Sequence, residues 1–327
     1  MNLTAQSFLA GLRTGEPVCR DNLSMVPLFH DQNIEPDYIT LKDGIENALL
    51  FVEEVDDEGS VNDILLRNKS DKKALLFEGE EVLGAMQNRI LNVSILASGG
   101  SKQKIPVSCV EEGRWHHEAD DEDEQRFHVA DRMHYASGRA AENRAVNRNL
   151  ESKRGFRGDQ GRVWSDIEEK SMRLQAESPT SASDAMYVST KANLDKHVAY
   201  FKQAPAQIGS VFLIHNEVAG LEVFASEKTH ASLLPRLIKS YALDAVDQAI
   251  MRDKPTPDQK SSADTLSAIA ADVRTKMFLD QLKNAWTKQF DGVSLGQNIR
   301  FRHDNLTGGA LIHDNVLLHM CAFATTS

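Results

Sequence analysis

Cysteine is nearly missing from this chain: Cys19, Cys109 and Cys321 are the only three in 327 residues, far apart and without a CxxC pair. That excludes a disulfide framework and leaves no cysteine set for a structural zinc. Aromatic residues are sparse at 6%, so the core must rest on Leu, Ile, Val and Ala. No stretch approaches the ~18 uninterrupted apolar residues of a membrane span. The opening Met1-Asn2-Leu3-Thr4-Ala5 has neither the basic nor the apolar region of a secretory signal. Positive charge is in deficit, 37 Lys and Arg against 48 Asp and Glu, a formal net charge of -11. Such a chain repels phosphate backbones on average, which argues against nucleic acid and anionic membranes as partners. A cytoplasmic protein with no membrane association is expected. The spacings GxGxxG, GxxxxGK[ST], GxSxG and HExxH are all missing, which removes the dinucleotide fold, the P-loop, the nucleophile elbow and the zincin helix.

What is present is an ordinary globular composition, 41% hydrophobic and 26% charged, on a chain long enough for one large core or two moderate ones. Residues 1–37 read as an N-terminal extension with a short amphipathic start. Between 38 and 115, strand-length apolar runs alternate with turns: 48–52, 63–68, 74–77, 82–85, 90–96 and 105–110. That spacing predicts an antiparallel meander, with Gly99-Gly100 closing a further hairpin. Residues 116–162 carry an acidic run and then eight basic residues from Arg132 to Arg162 with few large apolar ones. This predicts a solvated or disordered inserted loop. From 163 to 327 the pattern returns to helices near 166–200, 233–250 and 264–286, with hairpins at 211–224 and 310–323. The fold class expected is α+β, antiparallel sheets with packed helices and a charged inserted loop.

The densest polar segment in apolar surroundings is Glu78-Gly79-Glu80-Glu81 followed by Gln87-Asn88-Arg89 and Asn92. If one strand continues through Gly79, Glu78 and Glu80 share a face. Paired carboxylates can hold a divalent metal ion or divide acid and base roles. On its own an EGEE segment reads as a hairpin turn with solvated acids; amides and a guanidinium beside it suit a planar base or a phosphate. A second segment ends in Glu111, Arg114 and Trp115, at the end of a strand where ligand-binding residues often project. Cys109 in the same strand is expected as a buried small hydrophobe. His116-His117-Glu118 resembles a ligand set, but adjacent strand residues point in opposite directions, which speaks against a metal there.

These blocks also resemble a known family. The run from Phe77 to Ala85, Gln87-Asn88-Arg89 with Asn92, and Ile105-Pro106-Val107-Ser108-Cys109-Val110-Glu111 with Gly113-Arg114-Trp115 are similar to the ARG and rhodanese-phosphatase-superfamily-associated protein domain. Gln160-Gly161, Val163-Trp164, Ser178-Pro179-Thr180, Gly220-Leu221-Glu222 and the run from Ser240 to Ala245 look like its later blocks, in order. ARG there stands for ADP-ribosylglycohydrolase, so the resemblance implies association with NAD and ADP-ribose metabolism and with phage defence. It carries over no catalytic residues.

Two expectations follow. In the first, the chain binds or processes a nucleotide-like ligand such as ADP-ribose or an NAD-derived molecule. Glu78, Glu80, Glu81 and Glu111 then act as base or metal ligands, while Gln87, Asn88, Arg89, Asn92, Arg114 and Trp115 hold the ligand. In the second, it is a non-enzymatic interaction protein with a protein partner, and the same residues form a buried network that fixes the fold. Burial separates the two.

Overall fold

The computed structural model describes residues 4–55, 59–114, 127–252 and 260–325. Trp115 and His116-His117-Glu118 lie outside them. Thr4 caps a short helix α1 (Ala5–Ala10), with its side chain accepting from the Ser7 N–H. Three strands follow, β1 (Arg13–Thr14), β2 (Val18–Arg20) and β3 (Leu23–Phe29). Next come β4 (Tyr38–Thr40), α2 (Leu41–Glu46), β5 (Leu50–Glu53), β6 (Asp63–Asn68), β7 (Lys73–Leu76), β8 (Glu80–Gly84), β9 (Arg89–Leu91), β10 (Ile95–Ala97), β11 (Lys102–Cys109) and β12 (Phe127–Met133). Helices α3 (Ala136–Glu151), α4 (Gln160–Leu174) and α5 (Asp184–Tyr200) lead to β13 (Gly209–Ile214) and β14 (Glu217–Phe224). Then α6 (Glu227–Met251), α7 (Lys260–Lys283), β15 (Trp286–Asp291), β16 (Gln297–His303), β17 (Leu306–His313) and β18 (Val316–Ala324) complete the order.

The class is α+β, as expected. A nine-stranded antiparallel sheet runs β1-β3-β13-β14-β18-β17-β16-β15, with β2 also on β3. Both faces of its central strands are buried. On β13, Phe212 and Ile214 join the core that contains Tyr241 of α6, while Val211 and Leu213 join the core with Phe8 of α1 and Phe278 of α7. Two-sided burial explains the continuous apolar runs of β13 and β18. Six strands in the order β12-β8-β9-β11-β6-β5 and three in the order β10-β7-β4 enclose a third core around Leu66, Leu76 and Ile105.

Several expectations are corrected. Residues 1–37 are not an extension, because β3 pairs with β13 along its whole length and is buried. Its alternation was hidden because both faces are covered. The early strands are not a meander either: β6 pairs β5 and β11, whereas the next strand, β7, pairs β10 and, in parallel, β4. No hairpin spans Gly99-Gly100, since β10 and β11 pair with different strands. Within 116–162, β12 and α3 are ordered and largely buried. Their charges meet partners inside the molecule, Arg132 on Glu81 and Arg139 on Glu222, both at 2.7–2.8 Å. Residues 286–291 and 297–303 form the strands β15 and β16, unforeseen because they are mostly polar, with β15 exposed and β16 partly buried.

Candidate functional site

Gly79 decides how the first motif block is arranged. It adopts φ +84°, a left-handed conformation that side chains disfavour, and an added Cβ would lie 2.2 Å from Arg139 Nε. The chain therefore turns at Gly79, and β8 starts only at Glu80, so Glu78 and Glu80 do not share a strand face.

Each carboxylate of this block meets its own arginine. Glu78 accepts from Asn143 Nδ2 at 2.6 Å and pairs with Arg300 at 3.3 Å. Glu80 accepts from Arg236 Nη1 at 2.7 Å and from the Phe77 N–H at 2.8 Å. Glu81 lies 2.8 Å from both Arg132 and His134 Nδ1. Burial pushes the Glu81 carboxyl up, but the Arg132 guanidinium and His134 outweigh it and hold the group below the ordinary range.

The second block forms a separate knot. Glu111 accepts from Arg114 Nη2 at 2.7 Å, Thr180 Oγ1 at 2.6 Å and the Asn88 N–H at 3.2 Å. Gln87 donates to the Glu111 carbonyl at 2.8 Å and accepts from Arg89 Nη1 at 3.0 Å. Burial raises the Glu111 carboxyl; Arg114 and Thr180 bring it net below the ordinary range. Asn92 stands apart, accepting from Ser108 Oγ at 3.0 Å and donating to the Phe156 carbonyl at 3.2 Å. Ser108 also donates to Glu142, whose carboxyl is raised by burial. Cys109 is fully buried and its thiol is pushed up by that burial, which fits a packed small hydrophobe.

Sequence reasoning missed the centre of this frame, Glu222 on β14. It is fully buried, 2.7 Å from Arg139 Nη1, 3.1 Å from the Tyr241 hydroxyl and 3.2 Å from His319 Nε2. His319 Nδ1 lies 2.7 Å from Ser94 Oγ, which accepts the Glu78 N–H at 2.9 Å. Hydroxyl, imidazole and carboxylate stand in a line. Ser94, however, is buried and lines neither large cleft, so the line ties β18 and β14 to the β9–β10 connection. The signal available in sequence was the run of arginines from Arg132, of which Arg132 meets Glu81 and Arg139 meets Glu222.

All nine described motif residues are buried, and none lines either large cleft. Among the described residues no group of three or more His, Cys, Asp or Glu can hold a metal ion. The open cationic site lies elsewhere. A cleft of about 590 Å³ is bounded by the start of α3, the end of α6, α7 and β14. Arg144, Arg252 and Arg274 line it, with Gln248, Gln281 and Asn305, against an apolar wall of Val218, Met277 and Phe278. Its two carboxylates are occupied: Glu217 by Arg274 at 2.9 Å, and Asp244 by Lys170 Nζ at 2.7 Å and by the Ser137 N–H and hydroxyl. Among the described residues, Arg144 and Arg252 have no carboxylate within ion-pair distance. Burial and the neighbouring Arg162 and Arg148 guanidiniums depress Arg144, with Asp166 acting in the opposite direction. A second groove of about 770 Å³, lined by Gln6, Thr287, Gln289, Gln297 and His313 among others, has no lysine or arginine.

No curated protein and no solved structure matches the chain. One family model does match, over residues 11–323, which takes in every motif block, β3 and all of the cleft lining but Ala324 and Thr325. The chain belongs to the ARG and rhodanese-phosphatase-superfamily-associated protein domain family.

Proposed function

We propose that this protein binds a nucleotide-like anionic small molecule, with the buried motif network as its frame and the α3–α6–α7 cleft as the ligand's seat. The observation that carries the reading is the pair Arg144 and Arg252, two guanidiniums without carboxylate partners among the described residues, lining an open cleft in a chain of net charge -11. The volume lies within the range of about 300–1,000 Å³ usual for small-molecule sites. Guanidiniums take phosphate oxygens in pairs, the amides of Gln248, Gln281 and Asn305 suit the edge of a base, and the Met277–Phe278 wall suits its face. ADP-ribose and NAD-derived molecules have this combination, and the family's association with NAD and ADP-ribose metabolism agrees with it. Binding rather than catalysis by Glu78, Glu80, Glu81 and Glu111 is favoured, because each is already held by a cation or a hydrogen-bond donor. A divalent metal ion would reach the site with the phosphates of the ligand and not through those acids. A cytoplasmic location suits such a ligand.

Isothermal titration calorimetry with ADP-ribose, NAD and ADP tests this. Each charge-assisted contact contributes about 1.5–3 kcal/mol, so replacing both Arg144 and Arg252 by Ala is expected to weaken binding about 100-fold or more. Equal affinity in the double variant, or no binding of any of the three by the parent protein, would overturn the proposal. The second reading, an interaction protein with a protein partner in a phage-defence or NAD-linked system, is favoured by one observation: the motif network is closed. Under that reading none of the three nucleotides binds.

A further inference from the structure

The two edges of the nine-stranded sheet differ in kind. One is broken into the two-residue β1 and the three-residue β2, both on β3. Short edge strands of that sort blunt pairing with other chains. The opposite edge is β15, six residues long and mostly exposed, with Trp286 at 55%. It is held on one side by β16 and closes the strand order on the other. An edge of this length with no further strand on it among the described residues, carrying an exposed Trp, is the kind of surface that adds a strand from another chain.

We propose that the occupant is a second copy of this chain, paired antiparallel through β15 about a two-fold axis at Gln289. The cross-strand pairs select both the partner and the register. A two-fold pair that keeps like faces of both sheets on one side must set residues of equal parity opposite each other, because alternate strand residues face opposite sides. Centred on Gln289, the pairing sets Gln289 against the partner's Gln289, so two amides meet. Lys288 stands against the partner's Phe290, twice over, and Thr287 against the partner's Asp291, a hydroxyl facing a carboxylate. The lysine–ring contact already exists within one chain, with Lys288 Nζ 5.2 Å from the Phe290 ring centre. Centring on Lys288 instead sets two ammonium groups directly opposite, which is destabilising. Centring on Phe290 leaves only residues 289–291 paired. A lysine in the middle of an edge strand ordinarily guards against pairing. Here it faces an aromatic ring of the second copy and so admits that one register. The product is one continuous sheet with nine strands from each copy. The α3–α6–α7 cleft does not include β15, so the pairing is independent of ligand binding.

Cysteine cross-linking in the full-length chain tests both the occupant and the register. Residues directly opposite in an antiparallel pair have Cβ atoms about 4.5–5.5 Å apart, near the reach of a disulfide. Under mild oxidation Gln289→Cys is expected to yield a covalent dimer, while Lys288→Cys stays at the level of the parent chain, whose partly exposed Cys19 sets the background. Light scattering across a concentration series should show a monomer–dimer equilibrium. The Gln289→Lys substitution, exposed and harmless to folding, should weaken that equilibrium about fivefold, because two like charges then face each other. A parent protein that stays monomeric throughout, or a Lys288→Cys variant that cross-links as readily as Gln289→Cys, would overturn the proposal.

Discussion

Glu222 shows most plainly what single residues contribute. One fully buried carboxylate is shared by Arg139, Tyr241 and His319, which come from α3, α6 and β18. Burial alone would raise its carboxyl, but Arg139 and His319 overcompensate and hold it net below the ordinary range. Removing one partner of such a pair leaves an uncompensated buried charge. Arg139→Ala should therefore lower unfolding stability by about 3–5 kcal/mol, measurable by urea denaturation. The pH dependence follows from Glu81, Glu111 and Glu222, all depressed in the folded state. A depressed carboxyl contributes stability that is fully present above its unfolded value of about 4.3 and is lost as pH falls through the lower folded value. The melting temperature should hold from neutral pH to about 5 and fall steeply below about 4.3. Glu142 works in the other direction: its raised carboxyl contributes less as pH rises.

At the scale of elements, β3 joins the N-terminal residues to the middle of the large sheet through Leu23↔Ile214 to Leu28↔Gly209. Deletion of residues 1–37 should abolish soluble folded protein, as read by circular dichroism and gel filtration, whereas a dispensable extension would leave both unchanged. The elements legible in sequence were those with one strong signal. The apolar stripe of α6 from Leu233 to Ala245 and the hairpins β13–β14 and β17–β18, with turns at His215-Asn216 and Asp314-Asn315, had such a signal. Others were hidden for physical reasons. β3 has no alternation because both of its faces are covered. β15 and β16 are polar because they approach the sheet edge. α3 reads as a charged loop until Arg139 meets the Glu222 carboxylate and the Glu78 carbonyl across the fold. The motif residues were legible as a group, but whether they open to solvent depends on partners 50 to 220 positions away, such as Arg236 and Arg300. No local pattern contains that information.

For the whole molecule, a net charge of -11 coexists with two different arrangements of cations. Inside, the motif acids and their arginines neutralise one another and lock the sheets together. At the α3–α6–α7 cleft, Arg144 and Arg252 have no carboxylate partner among the described residues. The frame and the proposed seat are thus separate, and the central claim is that separation. The most direct measurement is thermal denaturation of the parent chain, Arg89→Ala and Arg144→Ala, each with and without ADP-ribose, since a ligand of the folded state raises the melting temperature by mass action. The account predicts that Arg144→Ala melts with the parent but loses the ligand-induced rise. Arg89→Ala, deprived of a fully buried guanidinium, should melt well below the parent yet keep the rise. An Arg89→Ala variant that melts like the parent and no longer responds to ADP-ribose would contradict it and move the site into the motif.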